Sequence, residues 1–229
     1  MWNKEKIGFD LLVARSDEYQ NVLEILEKVV RFLPQRRKFL DVGAGNPTTL
    51  TDSVGKLFEE TVIIEPNPEY LKLHKQRGHK IIDSTLELAM LEQNAFDLIL
   101  CAHVLYYIPT NIWRQIIEKL YQSLASGGIL AFVLHSKISG TYMLMKEMYG
   151  KELPVSAEKL EKLILQYFSN VVVYPYTGTI SLKSTEEYNM LVEFLRESLP
   201  DKKDLNKVEK SKEKLIIDNS GKVIIVQKK

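Results

Sequence analysis

Residues 39–47 read FLDVGAGNP. A short apolar run, KFLDV (38–42), meets a turn in which Gly43 and Gly45 let the backbone bend sharply and approach a ligand closely. The stretch after Pro47 reads as a helix through Glu59, and its first amides face whatever sits on the turn. A lone Gly-x-Gly also describes a plain strand-to-helix turn. The next strand, TVIIE (61–65), decides between the two readings. It ends in Glu65, twenty residues after Gly45, where a carboxylate can accept hydrogen bonds from two ribose hydroxyls. The third glycine of a dinucleotide fingerprint is missing. Pro47 suits a first helical turn but offers no amide to a pyrophosphate. Two glycines and an acid suit an adenosine ligand without a phosphate bridge.

Working outward, strand and helix patterns alternate. Residues 18–33 carry apolar side chains at helical spacing, with Pro34 after the last turn. Pro68 to Arg77 is a crossover helix, HKIID (79–83) a third strand and FDLILC (96–101) a fourth, nearly all apolar as in strands buried on both faces. Thr110 to Leu124 is an amphipathic helix broken off by Gly127-Gly128, and ILAFVL (129–134) is a fifth strand. Helices follow at 139–150 and 156–168, a strand at 170–176 and a helix at 184–199. Residues 214–227 then read as strand, turn at Asn219-Ser220-Gly221, and strand, paired antiparallel. The expected fold is α/β: a Rossmann-like, doubly wound, mostly parallel seven-stranded sheet with an antiparallel C-terminal hairpin and helices on both faces. One domain is expected over 1–229. Residues 1–36 form a helical cap, 37–136 a cofactor-binding core, and 137–229 substrate-lid helices and the last strands. The N-terminal helix and the insert at 139–168 are read as the lid. The mixed-charge run Asp201 to Lys214 is read as a solvated connector.

Composition bounds the function. The chain has 229 residues, 45% hydrophobic and 27% charged, the balance of a globular protein with a sizeable core. A single cysteine makes no internal disulfide and no cysteine-rich zinc site. His74, His79 and His135 show no metal-ligand spacing, so no metal is expected. No apolar run reaches about 18 residues, and the start, MWNKEKIGFD, lacks the apolar core of a signal peptide. A cytoplasmic protein is expected. A net charge of +1 gives no bulk attraction to nucleic acid or an anionic membrane. The expected partner is a small-molecule substrate, with the chain a monomer or weak homodimer.

Several residues stand out at strand ends. Asp83 and Ser84 follow the third strand, where they could meet an adenine amine or cap a helix over TLELAML. His103 follows the fourth strand and is the best-placed candidate base; the other reading is a histidine that caps the turn. Tyr106 and Tyr107 offer aromatic walls, with one expected to line a pocket and the other to pack. Cys101 reads as a small core residue, Trp113 as packing, and Asn219 as a turn residue.

FLDVGAGNP, Glu65 in VIIEPNP, FDLILCAHVLYYIP (96–109) and SLASGGILAFVLHS (123–136) together resemble class I S-adenosylmethionine-dependent methyltransferases over about residues 38–136. Glu65-Pro66, Leu105-Tyr106-Tyr107, Ser139-Gly140, Tyr149-Gly150, RSDEYQ (15–20) and IIDNSGKVIIV (216–226) are similar to the histamine N-methyltransferase family. The resemblance implies S-adenosylmethionine as cofactor, with S-adenosylhomocysteine as product. It places the cofactor on Asp41, Gly43, Ala44, Gly45, Glu65, Pro66, Asp83, Ser84, Cys101 and Ala102. It implies substrate contacts from Glu18, His103, Tyr106, Tyr107, Tyr142 and Asn219, with His103 and Tyr106 the catalytic candidates. His103 stands where that family has glutamine, and Tyr142 and Met145 where it has pocket tryptophans. The implied reaction is in-line methyl transfer to a small-molecule acceptor, most directly an amine nitrogen. The alternatives are O-, S- or carboxyl methylation and a non-catalytic S-adenosylmethionine-binding module. A base-flipping nucleic-acid enzyme would carry a Pro-Pro-aromatic signature where this chain has Cys101-Ala102-His103-Val104.

Overall fold

The computed structural model describes residues 2–46, 48–199 and 215–229; Pro47, read as opening a helix, and Asp201 to Lys214, read as a connector, lie outside these. Five strands run parallel: β1 (Lys38–Val42), β2 (Glu60–Ile64), β3 (Lys80–Ile82), β4 (Phe96–Ala102) and β5 (Leu124–His135). Two more, β6 (Val171–Tyr176) and β9 (Gly221–Gln227), complete a sheet of order β3-β2-β1-β4-β5-β9-β6, with β9 antiparallel to both its neighbours. A short antiparallel pair, β7 (Thr179–Ser181) and β8 (Ile216–Asp218), forms a second sheet. The doubly wound, mostly parallel fold expected from the sequence is the fold observed. Its strand order reverses between β1 and β4, and a crevice opens at the carboxyl ends of those strands.

Helices cover both faces. On one, α2 (Glu18–Val30) sets Val22, Leu26 and Val30 against Phe39, Leu98 and Leu100. On the other, α5 (Trp113–Ser123) and α7 (Ala157–Tyr167) set Ile117, Leu120, Leu160 and Ile164 against Leu40, Ile99 and Phe132. β4 is buried along nearly its whole length, which explains its unbroken apolar run. Asp97 is the exception. It is 3% exposed, and its Oδ2 accepts the amides of Arg37 at 2.7 Å and Lys38 at 3.0 Å, stitching the start of β1 to β4. Two short helices complete the core, α3 (Thr51–Gly55) and α4 (Pro68–Gln76), the latter capped by Asn67 accepting from the Glu69 amide.

A third cluster forms a roof over the crevice from α1 (Trp2–Arg15), α6 (Gly140–Tyr149), α8 (Thr185–Glu197) and the β7–β8 pair. Four local readings change. The helix after Pro47 is short, because only Thr51 and Val54 of α3 are buried. Gly127-Gly128 lies inside β5 rather than ending a helix; α5 stops at Ser123, and the β4–β5 register slips between Phe96 and Leu98. No helix follows Ser84, where Leu86–Leu88 is a turn. Residues 214–227 are two strands that do not pair with each other. β8 joins β7 while β9 enters the main sheet, and the antiparallel pair at the C-terminal edge is β6 with β9. The chain changes sheets at Asn219, fully buried, whose amide donates to Gly178 O at 2.7 Å, and at Ser220, held by Asp218. Among the described residues no helix is long and apolar enough to cross a membrane.

Asp97→Ala strips two part-buried amides of their shared acceptor and is expected to cost about 2 kcal/mol in chemical denaturation. A loss below about 0.5 kcal/mol would mean that water replaces the carboxylate.

Candidate functional site

The turn after β1 is built as its glycines require. Gly43 (φ 63°) and Gly45 (φ 53°) are left-handed, and a Cβ on Gly43 would lie 2.5 Å from Val104 Cγ2. Gly43 N–H donates to Ile64 O at 2.7 Å, joining the turn to the end of β2. Glu65 is 5% exposed; its Oε2 accepts the Gly45 amide at 2.8 Å and its Oε1 the Asn67 amide at 2.7 Å. Burial raises the Glu65 carboxyl, and those two amides oppose the shift. Each oxygen keeps a second lone pair. Behind the turn, the His74 ring bonds Gly45 O through Nε2 at 3.0 Å and His79 through Nδ1 at 2.9 Å. Burial lowers His74 to about 4, so it is neutral at pH 7. Asn46 ties the turn to the roof by donating to Asp10 of α1 at 2.9 Å. Asp41 accepts from Thr51 Oγ1 at 2.7 Å, and burial raises its carboxyl to about 7.

A cavity of about 390 Å³ opens on this turn. Asp41, Gly43, Ala44, Gly45, Glu65, Pro66 and Ala102 line it, as expected of cofactor residues. Asp83 and Ser84 do not; the cavity is lined by the three residues that follow them, Thr85, Leu86 and Glu87. Cys101 lies beneath it in the core, its thiol pushed well up by burial. The glycine turn, which leaves room only for backbone, and the buried Glu65 fit an adenosine-type cofactor.

The far end of the cavity is walled by aromatic and apolar side chains, with a polar floor. Phe9 and Leu12 of α1, Phe194 of α8 and Met145 of α6 come from the roof. Tyr106 and Tyr107 both line the cavity, because Leu105–Tyr107 is a 3-10 turn and not a strand end with opposed neighbours. α7, expected in the lid, instead packs on the sheet, and α8 takes that place.

The floor is Glu18, His103 and His135. Glu18, which sequence alone reads equally as an exposed first-turn acid, is 1% exposed. Its Oε1 lies 2.8 Å from His103 Nε2 and also accepts the Tyr176 hydroxyl, while Asn219 Nδ2 donates to Oε2. Burial acts to raise the Glu18 carboxyl, but His103, His135 and the Tyr176 hydroxyl outweigh it and hold it at about 2. His135, 4.0 Å from the same oxygen, is lowered to about 4 by burial and is neutral at pH 7. Asn219 does not line the cavity. It stands behind Glu18 with its Oδ1 accepting from Thr141 at 2.6 Å, so it orients the carboxylate. Tyr142 is buried in the roof core, outside the cavity lining. His103 itself sits at φ 57°, a left-handed conformation that costs a residue with a Cβ about 1 kcal/mol. Sequence reasoning missed His135, Tyr176 and Thr141. His135 ends β5, and the strand-end rule that singles out His103 applies to it equally.

Residues 40–132 match the family model described as a methyltransferase domain. No curated protein sequence matches the chain significantly. Solved structures that share its fold include the following three. A Bacillus halodurans C-125 protein, provisionally described as a methyltransferase, superposes with a TM-score of 0.61 at 14% identity, over 90% of this chain and 98% of that one. A Thermotoga maritima protein, described as a SAM-dependent methyltransferase and possible histamine N-methyltransferase, gives 0.58 at 16%, over 93% and 89%. The N-methyltransferase NodS of Bradyrhizobium japonicum WM9, solved with S-adenosylhomocysteine, gives 0.54 at 15%, over 90% and 86%. The match likens residues 40–132 to a methyltransferase domain, and the three structures share the fold of the whole chain.

Gly45→Asp puts a carboxylate beside Glu65 at a left-handed position. It is expected to weaken S-adenosylhomocysteine binding by about 100-fold or more in calorimetry, about 3 kcal/mol, with the circular dichroism spectrum retained. Unchanged affinity would place the cofactor elsewhere. Asp41→Asn gives a stability test. A carboxyl raised to about 7 when folded stabilises fully below its unfolded value and loses that contribution as pH rises through 7. The variant should therefore gain on wild type between pH 4 and 8 in urea melts, and a pH-independent difference would refute the assignment.

Proposed function

We propose that the chain transfers a methyl group from S-adenosylmethionine to a nitrogen of a small, largely apolar acceptor. The observation that carries this reading is the Glu18–His103 pair at the closed end of the cavity, facing aromatic walls and opening onto the glycine turn. When bound, S-adenosylmethionine supplies a methyl group made electrophilic by positive sulfur. Gly43, Gly45, Glu65 and Ala102 would hold it, and the chain's remaining work is to orient the acceptor, exclude water and manage one proton.

Tyr106 and Tyr107 flank the acceptor end; the Tyr106 hydroxyl accepts the His135 amide at 3.2 Å, which fixes its ring. Glu18 fixes the His103 ring through Nε2, while Nδ1 has no hydrogen-bond partner among the described residues. That nitrogen takes the proton an amine gives up as it becomes methylated. The cavity offers few cations beyond Lys6 at its edge. A strongly anionic acceptor would meet the buried Glu18 carboxylate instead, which favours neutral or cationic amines.

The test is turnover of S-adenosylmethionine with a panel of small aromatic and aliphatic amines, phenols and thiols. His103→Ala is expected to lower kcat by about 10²- to 10⁴-fold with little change in S-adenosylhomocysteine affinity, and Glu18→Gln to do the same less severely. Methylation of phenols or thiols but of no amine would overturn the nitrogen assignment. Full activity in His103→Ala would remove the histidine from the reaction.

A further inference from the structure

We propose that Glu18, His103 and His135 form a binding site for a divalent transition-metal ion of the zinc, cobalt or nickel type. The three side chains come from the start of α2, the turn after β4 and the end of β5. One ligand atom from each lies within 4.8 Å of the other two. His103 Nε2 is 2.8 Å and His135 Nδ1 4.0 Å from Glu18 Oε1. Bonds of about 2.0–2.1 Å in a tetrahedral site put neighbouring ligands about 3.3 Å apart, and the two separations bracket that value. Two imidazoles and one carboxylate suit these ions rather than magnesium or calcium, which prefer oxygen.

A second observation points to a ligand. His135 is 5% exposed, lines the cavity, and its Nδ1 has no hydrogen-bond partner among the described residues. A buried ring nitrogen without a partner requires a reason, and an ion between His135 and Glu18 supplies one. The carboxylate already has the supporting contacts of a metal ligand: Tyr176 and Asn219 donate to it, and Thr141 holds Asn219. The ion takes the place of the proton between His103 and Glu18, and its remaining positions face the cavity, open to water or an acceptor. With Nε2 on the ion, His103 carries its proton on Nδ1 and has no lone pair to accept another. Metal occupancy and base-assisted transfer therefore exclude each other. The site itself does not depend on the proposed reaction, since its occupancy is read without cofactor or acceptor.

The experiment is equilibrium dialysis of the metal-free chain against zinc and cobalt chloride, with the visible spectrum of the cobalt form as a second readout. Wild type is expected to take up about one ion per chain and to show cobalt absorption of low-coordinate nitrogen and oxygen ligation. His135→Ala and the bulkier His135→Gln, each checked for folding by circular dichroism, are expected to bind at least 100-fold more weakly. No stoichiometric uptake by wild type overturns the proposal, and so does uptake that survives both substitutions. If the variants do not fold, the wild-type cobalt spectrum decides: an octahedral, all-oxygen spectrum sinks the site.

Discussion

A carboxylate withdrawn from water either finds donors or gives up its charge. Glu18 finds them, and the way it does so organises the molecule. Its donors are His103 beyond β4, Tyr176 at the end of β6 and Asn219 between β8 and β9, and its own amide is held by Ser16 Oγ at 3.1 Å. Each donor belongs to a different part of the chain, so satisfying one buried charge fixes where α2 begins against the sheet. It also sets where the β7–β8 pair stands above it. Removing any one donor leaves the others facing an undercompensated ion, which is why this network has little tolerance for partial change.

The two ends of the cavity obey different rules. The cofactor end is made by one turn and one acid on adjacent strands, and its geometry follows from glycine conformation and strand register. The acceptor end is made by side chains from a roof whose elements share no sequence neighbourhood: Phe9, Met145 and Phe194 meet there only because α1, α6 and α8 pack together. The glycine-turn end of the cavity is therefore a property of the fold, while the shape of its aromatic end is a property of the roof.

This division explains what could be read in advance. FLDVGAGNP and Glu65 were legible because each role is encoded within a few residues of a strand end. Asp83 and Ser84 fall just short of the cavity, because the helix that the sequence suggests there is a turn that brings Thr85 to Glu87 to it instead. As a first-turn acid, Glu18 carries no local mark of burial; only the resemblance singled it out, and the fold supplied the reason. Asn219 looked like a turn residue and is one, but its side chain also holds the carboxylate, a contact 201 residues away in sequence that no local pattern contains. His135 shows no ligand spacing in the sequence, because spacing along the chain says nothing about residues brought together by parallel strands.

The place of β9 bears on how the molecule comes to be made. This strand follows every other described strand in the chain, yet it lies between β5 and β6 and pairs with both. During synthesis, which proceeds at about 5–20 residues per second, β5 waits with an open apolar edge until residues 221–227 leave the ribosome. An unpaired edge of that kind is a template for association with other chains. The sheet closes only on a contact of long sequence separation, the slow class of folding step, and the Glu18 network closes with it, because Asn219 and Gly221 arrive together. The nascent chain is thus most exposed to aggregation just before its cavity first exists.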